Sequence, residues 1–209
     1  MKKLLIATTN PGKLGEITKY LSDLPITLVG LKDVGITDQV EETGKTFEEN
    51  AIIKAKFYAE KSGLPTITDD GGLEINALHG EPGVKSHRWI GGDHEDSDEE
   101  LIAHTIKKLK GILLKNRQAQ LRAVLALALP NGKIFTAQAL TRGMIPLAPG
   151  THRTPGFPYR SLLFLPEIGK FYNQHELTEA ENNRYNHRKQ ALEQLKPMII
   201  KQLSLRGTK

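Results

Sequence analysis

Polar residues that could bind phosphate follow a short apolar run at the start of the chain. Thr8, Thr9, Asn10 and Lys13 lie where residues 3–8, a predicted strand, lead into an Asn-Pro-Gly turn and a helix. Backbone N–H groups and the positive helix end at such a turn favour a phosphate. The charge of Lys13 interacts unfavourably with the helix dipole, at a cost of about 0.3–1 kcal/mol. A bound polyphosphate would reverse this cost. The turn lacks Walker A spacing, and an ordinary exposed turn is the alternative.

Two acidic pairs are candidates for holding a metal ion. Asp69 and Asp70 follow residues 64–68, where the sequence predicts that a strand gives way to a turn, and Glu41 and Glu42 precede a helix. Adjacent residues of an extended strand face opposite ways, so we expect only one aspartate to point into a given site. Carboxylates in a chain without Cys suit Mg²⁺, which takes one or two of them together with substrate phosphates. An ordinary Asp-Gly turn is the alternative for the aspartates.

A second cationic candidate, Lys54, lies on a predicted helix. Thr46 and Glu49 form a capping box at its start, and Gly63 supplies its stop. Lys54 is four residues after Asn50 and therefore shares a helix face with it. Because that face is partly apolar, the ammonium group either extends to water or meets an anion.

Residues in the last third of the chain could recognise a nucleotide base. Phe157 and Tyr159 lie in a Pro/Gly-rich loop, where aromatic rings either stack on a base or cover the core. His187 and Arg188 follow Asn186, which can cap a helix, and a planar arginine there could pair with phosphate or a base edge. A solvated helix start is the alternative for this pair.

The predicted helices and strands that position these residues alternate along the chain, which indicates an α/β protein. Beyond the elements above, residues 14–21 are a predicted helix, and capping boxes of Ser97 with Glu100 and of Thr178 with Glu181 start two more. We expect the last helical region to be interrupted near Asn186 and again at Pro197. Asn131-Gly132 predicts a hairpin between strands 119–129 and 133–141, so the sheet is predicted to be mixed.

Composition limits the class of protein. The 209 residues suffice for one domain or two closely joined lobes. The absence of Cys excludes disulfides and thiolate metal sites and fits a cytoplasmic location. No apolar stretch reaches the roughly 20 residues that span a bilayer, so we expect no membrane contact. The formal charge of +5 raises nucleic-acid binding as an alternative, but acidic residues cluster at 93–100 and the C-terminal tail is basic, so one basic face is not predicted.

Together these segments resemble the inosine triphosphate pyrophosphatase family over nearly the whole chain. The resemblance is carried, in order, by ATTNPGKLGEI, EETGKTFEENAIIKAK, TDDGGLEINALHGEPGVKSHRW, GFPYRSLLFLP and NHRKQAL. It implies a single α/β domain over residues 1–209, with an elongated, two-lobed mixed sheet flanked by helices, a central cleft, and a homodimer. It also implies hydrolysis of nucleoside triphosphates, inosine and xanthosine triphosphate above all, to monophosphate and pyrophosphate.

The resemblance further implies roles for individual residues. The residues that would bind phosphate are Lys54 and four residues of the first turn, Thr8, Thr9, Asn10 and Lys13. Asp70 and one of Glu41 and Glu42 would serve Mg²⁺, with Asp69 as a second-choice ligand. Asp70 would also act as the base and Lys13 as a catalytic cation. The base-pocket residues would be Gly71, Phe157, Tyr159, Arg160, Asn182, His187 and Arg188.

Departures from the family pattern cluster in the base-pocket segments. Gly71 and Asn186 replace serines, Pro158 replaces a glycine, Arg160 replaces an aspartate and Asn182 replaces a lysine. A polar group that meets the wrong partner costs about 1–3 kcal/mol, so we expect a changed base preference. A nucleotide-binding protein with lost hydrolysis is the alternative function.

Overall fold

The computed structural model describes residues 2–92 and 94–205. Within these ranges seven strands and five α-helices follow one another. In chain order they are β1 Lys3–Ile6, α1 Pro11–Leu21, β2 Thr27–Gly30, α2 Phe47–Ser62, β3 Thr66–Ile75, α3 Asp98–Lys108, β4 Gln118–Ala128, β5 Ile134–Met144, β6 Phe164–Leu165, β7 Lys170–Phe171, α4 Glu179–Tyr185 and α5 His187–Gln202. None of the helices in the described part of the chain combines the length and the apolar character needed to cross a membrane.

The strands form one sheet in the order β2-β1-β3-β4-β5-β6-β7. β1 is parallel to both β2 and β3, whereas β6 is antiparallel to β5 and β7. The prediction of an α/β protein with a mixed sheet is therefore confirmed. The predicted hairpin is also confirmed, because β4 and β5 are neighbours joined through Gly132, whose φ of 84° requires a residue without a Cβ.

The chain divides into two compact units. Unit 1 contains the residues up to Asp70, Ala123–Ala139 and the residues from Arg188 onward, and unit 2 contains Gly71–Arg122 and Leu140–His187. The core of unit 1 is built from β1, α1, β3, β4 and α5, with Leu4, Ile17, Ile67, Leu125 and Leu192 among its members. The core of unit 2 includes Leu73, Leu101, Leu121, Tyr159 and Tyr172.

Short-range capping starts most helices at the predicted residues. Thr46 and Glu49 form the predicted capping box of α2, and Gly63 ends that helix with φ 66°. The capping boxes of α3 and α4 are present as well. α1 begins at Pro11, three residues earlier than predicted, because the Asn10 side chain accepts hydrogen bonds from the N–H groups of Gly12 and Lys13.

β3 is longer than predicted. The sequence Asp-Asp-Gly-Gly was expected to turn after residue 68, but it lies inside the strand, which continues to Ile75. Gly72 is needed for close packing, since a Cβ there would lie 1.9 Å from Oγ of Ser86. That hydroxyl accepts a hydrogen bond from the backbone N–H of Leu73. The composition of this segment is typical of a turn, but its contact with Ser86, a residue distant in sequence, helps to hold it in a strand.

The expected break at Pro197 is wrong, whereas the break at Asn186 is confirmed. α4 ends at Tyr185, Asn186 is extended, and α5 then continues through the proline to Gln202. A proline inside a helix costs about 3 kcal/mol. Pro197 itself is exposed, but Leu195 and Ile199 on either side are buried in the core of unit 1. This packing holds the helix together across the missing hydrogen bond.

A buried ionic cluster joins three elements of unit 1. Asp69 of β3 contacts Nζ of Lys13 on α1 at 2.7 Å and accepts a hydrogen bond from Nε of Arg188 on α5 at 2.6 Å. Arg188 pairs also with Glu16. Burial alone would raise the pKa of Asp69, but the charges of Arg188 and Lys13 outweigh it and hold the pKa well below its ordinary value. The cluster therefore fixes β3 against both helices.

Replacement of Asp69 with asparagine is expected to lower the free energy of unfolding by about 3–5 kcal/mol, because it leaves two buried cations without their shared carboxylate. Urea denaturation followed by circular dichroism measures this loss. Asp38→Asn is the matched control, since Asp38 pairs with Lys61 at an exposed position and its loss should change stability little. Equal losses of unfolding free energy in the two variants would show that the buried cluster stabilises the fold no more than an exposed ion pair does.

The stability contributed by Asp69 is also expected to depend on pH. Because its folded-state pKa lies below the ordinary value of about 3.9, the contribution is complete above that value and is lost as the pH falls toward the folded-state pKa. The difference in unfolding free energy between the wild type and Asp69→Asn should therefore narrow between about pH 5 and pH 2. A difference that stays constant over this range would refute the ionised state assigned to Asp69.

Candidate functional site

Lys54 meets two carboxylates in unit 1. Its Nζ lies 3.1 Å from Oε1 of Glu42 and 3.0 Å from Oδ1 of Asp70, and its side chain is 12% exposed. Burial lowers the pKa of Lys54, but the charges of Asp70 and Glu42 outweigh this and raise it above its usual value. Of the two alternatives for this lysine, the structure shows contact with anions.

Two contacts from α2 position these carboxylates. Thr68 of β3, the residue before the two aspartates, donates a hydrogen bond from its Oγ1 to the backbone oxygen of Ala51 at 2.7 Å. The side chain of Asn50 accepts a hydrogen bond from the N–H of Gly44 at 2.7 Å, which holds the segment that carries Glu42. A Cβ at Gly44 would lie only 2.5 Å from the Asn50 side-chain oxygen, so this approach needs glycine.

Asp70 carries an unusual carboxylate. It is 8% exposed, and no hydrogen-bond donor among the described residues contacts its Oδ2. Burial raises the pKa of Asp70 above its ordinary value, although the charges of Lys54 and Lys13 reduce this effect. A buried acceptor without a donor is costly, and a cation is one group that would satisfy it.

The two neighbouring aspartates have different partners, as expected for adjacent residues of a strand. Asp70 faces Lys54, whereas both oxygens of Asp69 contact cations, Oδ1 that of Lys13 and Oδ2 that of Arg188. Asp69 thereby acts as an internal counter-ion, which leaves Asp70 as the aspartate with an open oxygen.

The first turn differs in one respect from the expectation of open N–H groups. The N–H groups of Gly12 and Lys13 bond to the Asn10 side chain, and the N–H of Asn10 bonds to Oγ1 of Thr8. These donors are therefore occupied by the cap, while Thr9 is exposed. The groups of this turn that could contact a phosphate are therefore its side chains, above all the ammonium group of Lys13.

The glutamates of the predicted acidic pair lie in different surroundings. Glu41 is exposed, whereas Glu42 is half-buried and contacts Lys54. Over the described ranges no group of three or more His, Asp or Glu side chains is arranged to hold a metal ion. Glu42 and Asp70 supply two carboxylates, which fits Mg²⁺, because that ion takes one or two protein carboxylates and completes its shell with phosphate and water.

Unit 2 holds an arginine packed on aromatic rings. Arg160 is 6% exposed, and its guanidinium carbon lies 3.9 Å from the ring centre of Phe157 and 5.4 Å from that of Tyr172. Arg160 and its neighbours form a short 3-10 helix, Pro158–Ser161. The arginine that replaces an aspartate of the family pattern is therefore directed inward.

Tyr159 covers the core, which was one of the two alternatives for the loop aromatics. It is 4% exposed within the core of unit 2, and its hydroxyl donates a hydrogen bond to the backbone oxygen of Ser86. Burial raises the pKa of this hydroxyl far above its ordinary value. A ring packed in this way is not open to stack on a base, so Tyr159 is better described as a packing residue.

The other predicted residues of unit 2 lie on separate elements. Gly71 is part of β3, and Asn182 is half-buried on α4. His187, the first residue of α5, is buried, with its ring 5.6 Å from that of Tyr172. The solvated helix start is wrong for His187 and, in unit 1, for Arg188, which is buried against Asp69.

Sequence reasoning missed three residues that position the others. Glu16 had no local signal, because its partner Arg188 lies 172 residues away. Thr68 had none, because its partner Ala51 lies 17 residues away. Tyr172 likewise had no local signal for its place beside Arg160.

Comparison with known proteins gives a consistent set of relatives. A dITP/XTP pyrophosphatase from Geobacter sulfurreducens is 41% identical over 196 residues, which are 94% of this chain and 96% of that protein. A dITP/XTP pyrophosphatase from Thermus thermophilus is 39% identical, covering 92% of this chain and 89% of that one. The solved structure of a HAM1 protein from Coxiella burnetii is 34% identical and superposes with a TM-score of 0.82 over 96% of this chain and 100% of that one.

These relatives confirm the resemblance predicted from the motifs. The profile of one protein family, described as the Ham1 family, matches residues 4–198. The chain therefore belongs to the Ham1 family.

Proposed function

We propose that this protein is a nucleoside-triphosphate pyrophosphatase that acts on non-canonical purine nucleotides such as ITP, dITP and XTP. It would consume one water, break the bond between the α and β phosphates, and release the monophosphate and pyrophosphate. Relatives at 35–41% identity over nearly the full chain are named dITP/XTP pyrophosphatases, which supports this assignment.

The observation that carries the proposal is the Lys54 cluster in unit 1. A buried ammonium group lies between two carboxylates, one of which has an oxygen without a hydrogen-bond donor in the described chain. A triphosphate with its metal ion brings both anionic oxygens and a cation, which suits this mixture of charges. Lys54 and Lys13 would contact phosphate oxygens and neutralise the charge that develops on the leaving pyrophosphate.

Glu42 and Asp70 would hold Mg²⁺, and the half-burial of Glu42 beside Lys54 favours it over the exposed Glu41. When bound, the ion would supply charge neutralisation at the phosphate oxygens. Asp70 would orient the attacking water and accept its proton.

Two further parts of the proposal, the base-pocket roles of the unit 2 residues other than Tyr159 and a homodimer, rest on the family resemblance. A cytoplasmic location rests on the absence of Cys. Sedimentation of the purified protein would test the homodimer.

Asp70→Asn is expected to lower kcat/KM for ITP by at least about 100-fold, because the amide neither accepts the proton nor holds Mg²⁺ as well. Pyrophosphate release measures this. Asp38→Asn is the control, since it removes a carboxylate from an exposed ion pair of the same unit. Asp70→Asn activity close to that of the wild type would remove Asp70 from the mechanism.

The two neighbouring glutamates provide a second test. Glu42→Gln is expected to raise the Mg²⁺ concentration needed for half-maximal activity by about ten-fold, as is typical for a weakened metal site. Glu41→Gln should cause a smaller shift, because Glu41 is exposed. A larger shift for Glu41 than for Glu42 would reverse the assignment.

A panel of nucleoside triphosphates tests the function itself. Magnesium-dependent release of pyrophosphate from ITP or XTP is the expected result. Nucleotide binding by calorimetry without any product would favour the alternative, a binding protein of the same fold that has lost hydrolysis.

A further inference from the structure

We propose that a groove on unit 2 is a docking site for an acidic amphipathic helix of a partner protein. This α3 groove has a volume of about 740 Å³, and its two walls are α3 and the segment 147–153. The proposal goes beyond the pyrophosphatase activity, because that activity is assigned to the Lys54 cluster of unit 1 and none of the groove residues belongs to it.

The walls of the α3 groove are largely aliphatic. α3 contributes Ile102, Ala103 and Ile106, and the opposite segment contributes Leu147 and Pro149. Ala103 is exposed, and Leu147 is 66% exposed. A contiguous apolar surface with polar residues around it is typical of a protein-binding site.

The charged side chains of the α3 groove are mostly cations. Four of the five are Lys107, Lys110, Arg117 and Arg153, and the fifth is Glu99. Glu99 accepts a hydrogen bond from Nε of Arg153 at 2.6 Å, so this acid already has a cation beside it. Lys107 and Lys110 are exposed, and no carboxylate of the described residues forms an ion pair with either of them. The groove therefore complements a partner with acidic side chains.

Contacts at both ends of α3 hold the two walls of the groove in place. Arg117 donates hydrogen bonds to the backbone oxygen of Leu109, just after α3, at 2.7 Å and to that of Pro146, just before the opposite wall, at 3.0 Å. The contact between Arg153 and Glu99 joins the same walls near the start of α3. Because the groove is formed before a partner arrives, binding loses less conformational entropy.

The residues of the α3 groove favour one mode of recognition. None of its described lining residues lies in a strand, so a partner cannot add a strand to a sheet edge there. None is aromatic, whereas grooves for proline-rich segments and surfaces for single-stranded nucleic acid use aromatic rings. α3 instead lines the groove with residues three and four positions apart, Glu99, Ala103, Ile106 and Lys110, which form a ridge that a second helix can pack against.

A second copy of this chain fits the α3 groove less well than an acidic partner does. A two-fold contact uses the same surface on both copies. It would bring Lys107 and Lys110 toward the same two lysines of the other copy, and like charges across an interface are unfavourable. An amphipathic helix with acidic side chains covers the aliphatic walls and also pairs with the lysines.

The test selects binders of the full chain from a phage-displayed library of random peptides of about 16 residues, enough for about four helical turns. The enriched peptides are expected to carry a net negative charge and apolar residues three and four positions apart. Synthetic copies should bind the wild type at least about ten-fold more tightly than Ala103→Glu, which places bulk and an acid in the groove. The matched control is Ala180→Glu, since Ala180 is an exposed alanine of α4, and it should bind as the wild type does.

A change of charge at the two lysines gives a second, independent readout. Lys107→Glu with Lys110→Glu should bind the selected peptide at least about ten-fold more weakly and should prefer a copy of the peptide in which lysines replace the acids. Near-ultraviolet circular dichroism checks that each variant is folded. If Ala103→Glu is not, Leu147→Glu takes its place, because Leu147 is exposed.

Several outcomes would overturn the inference. These are a library that yields no binder, enriched peptides without a net negative charge, and equal binding to the wild type and Ala103→Glu. Equal weakening by Ala180→Glu would show an effect of net charge alone. Sedimentation that shows an oligomer of the wild type and a monomer of Ala103→Glu would assign the groove to a second copy of this chain. The proposed pyrophosphatase is measured separately, by pyrophosphate release from ITP, and stands or falls without the groove.

Discussion

The pairing of the buried Asp69 carboxylate with Arg188 and Lys13 is the interaction on which unit 1 depends. Moving a carboxylate out of water is costly unless cations and hydrogen bonds replace the lost hydration. Arg188 from α5 and Lys13 from α1 provide both. Since Asp70 is the next residue of the same strand, holding Asp69 toward these helices directs Asp70 toward Lys54 on α2. One ionic cluster thus sets the direction of a second.

The two clusters differ in how completely their charges are matched. Around Asp69, both carboxylate oxygens contact cations, and its pKa is depressed as a result. At Asp70 one oxygen contacts Lys54 while the other lacks a donor among the described residues, and burial raises the pKa. Satisfied groups stabilise the fold, whereas incompletely satisfied ones are typical of places where a ligand completes the set. This contrast distinguishes the structural aspartate from the proposed functional one.

At position 160 this chain has a cation where the family pattern has an anion. An arginine where the family pattern has an aspartate would be costly if its neighbours required an acid. Here its guanidinium packs on Phe157 and Tyr172, and a cation held over an aromatic face is stabilised by it. The replacement is therefore compatible with a folded unit 2.

The α/β class, the family and most helix starts could be predicted from the amino-acid sequence alone. The capping boxes, the Gly63 stop and the Asn131-Gly132 hairpin were predictable because each depends on residues within about four positions of one another. The motifs also identified both lysines and both aspartates as candidates. Which glutamate lies beside Lys54, and which aspartate keeps an open oxygen, could not be predicted from them.

These points depend on the folded chain, because the contacts that establish them join residues that are far apart in the sequence. Arg188 and Asp69 are separated by 119 residues, and no local pattern encodes their pairing. The same holds for β3, which continues through two glycines because Ser86 packs against it, and for α5, which continues through Pro197 because the core of unit 1 holds both sides. Local sequence sets the helix starts, the end of α2 and the hairpin, whereas burial and charge pairing between distant segments decide that β3 and α5 continue and which aspartate oxygen lacks a donor in the described chain.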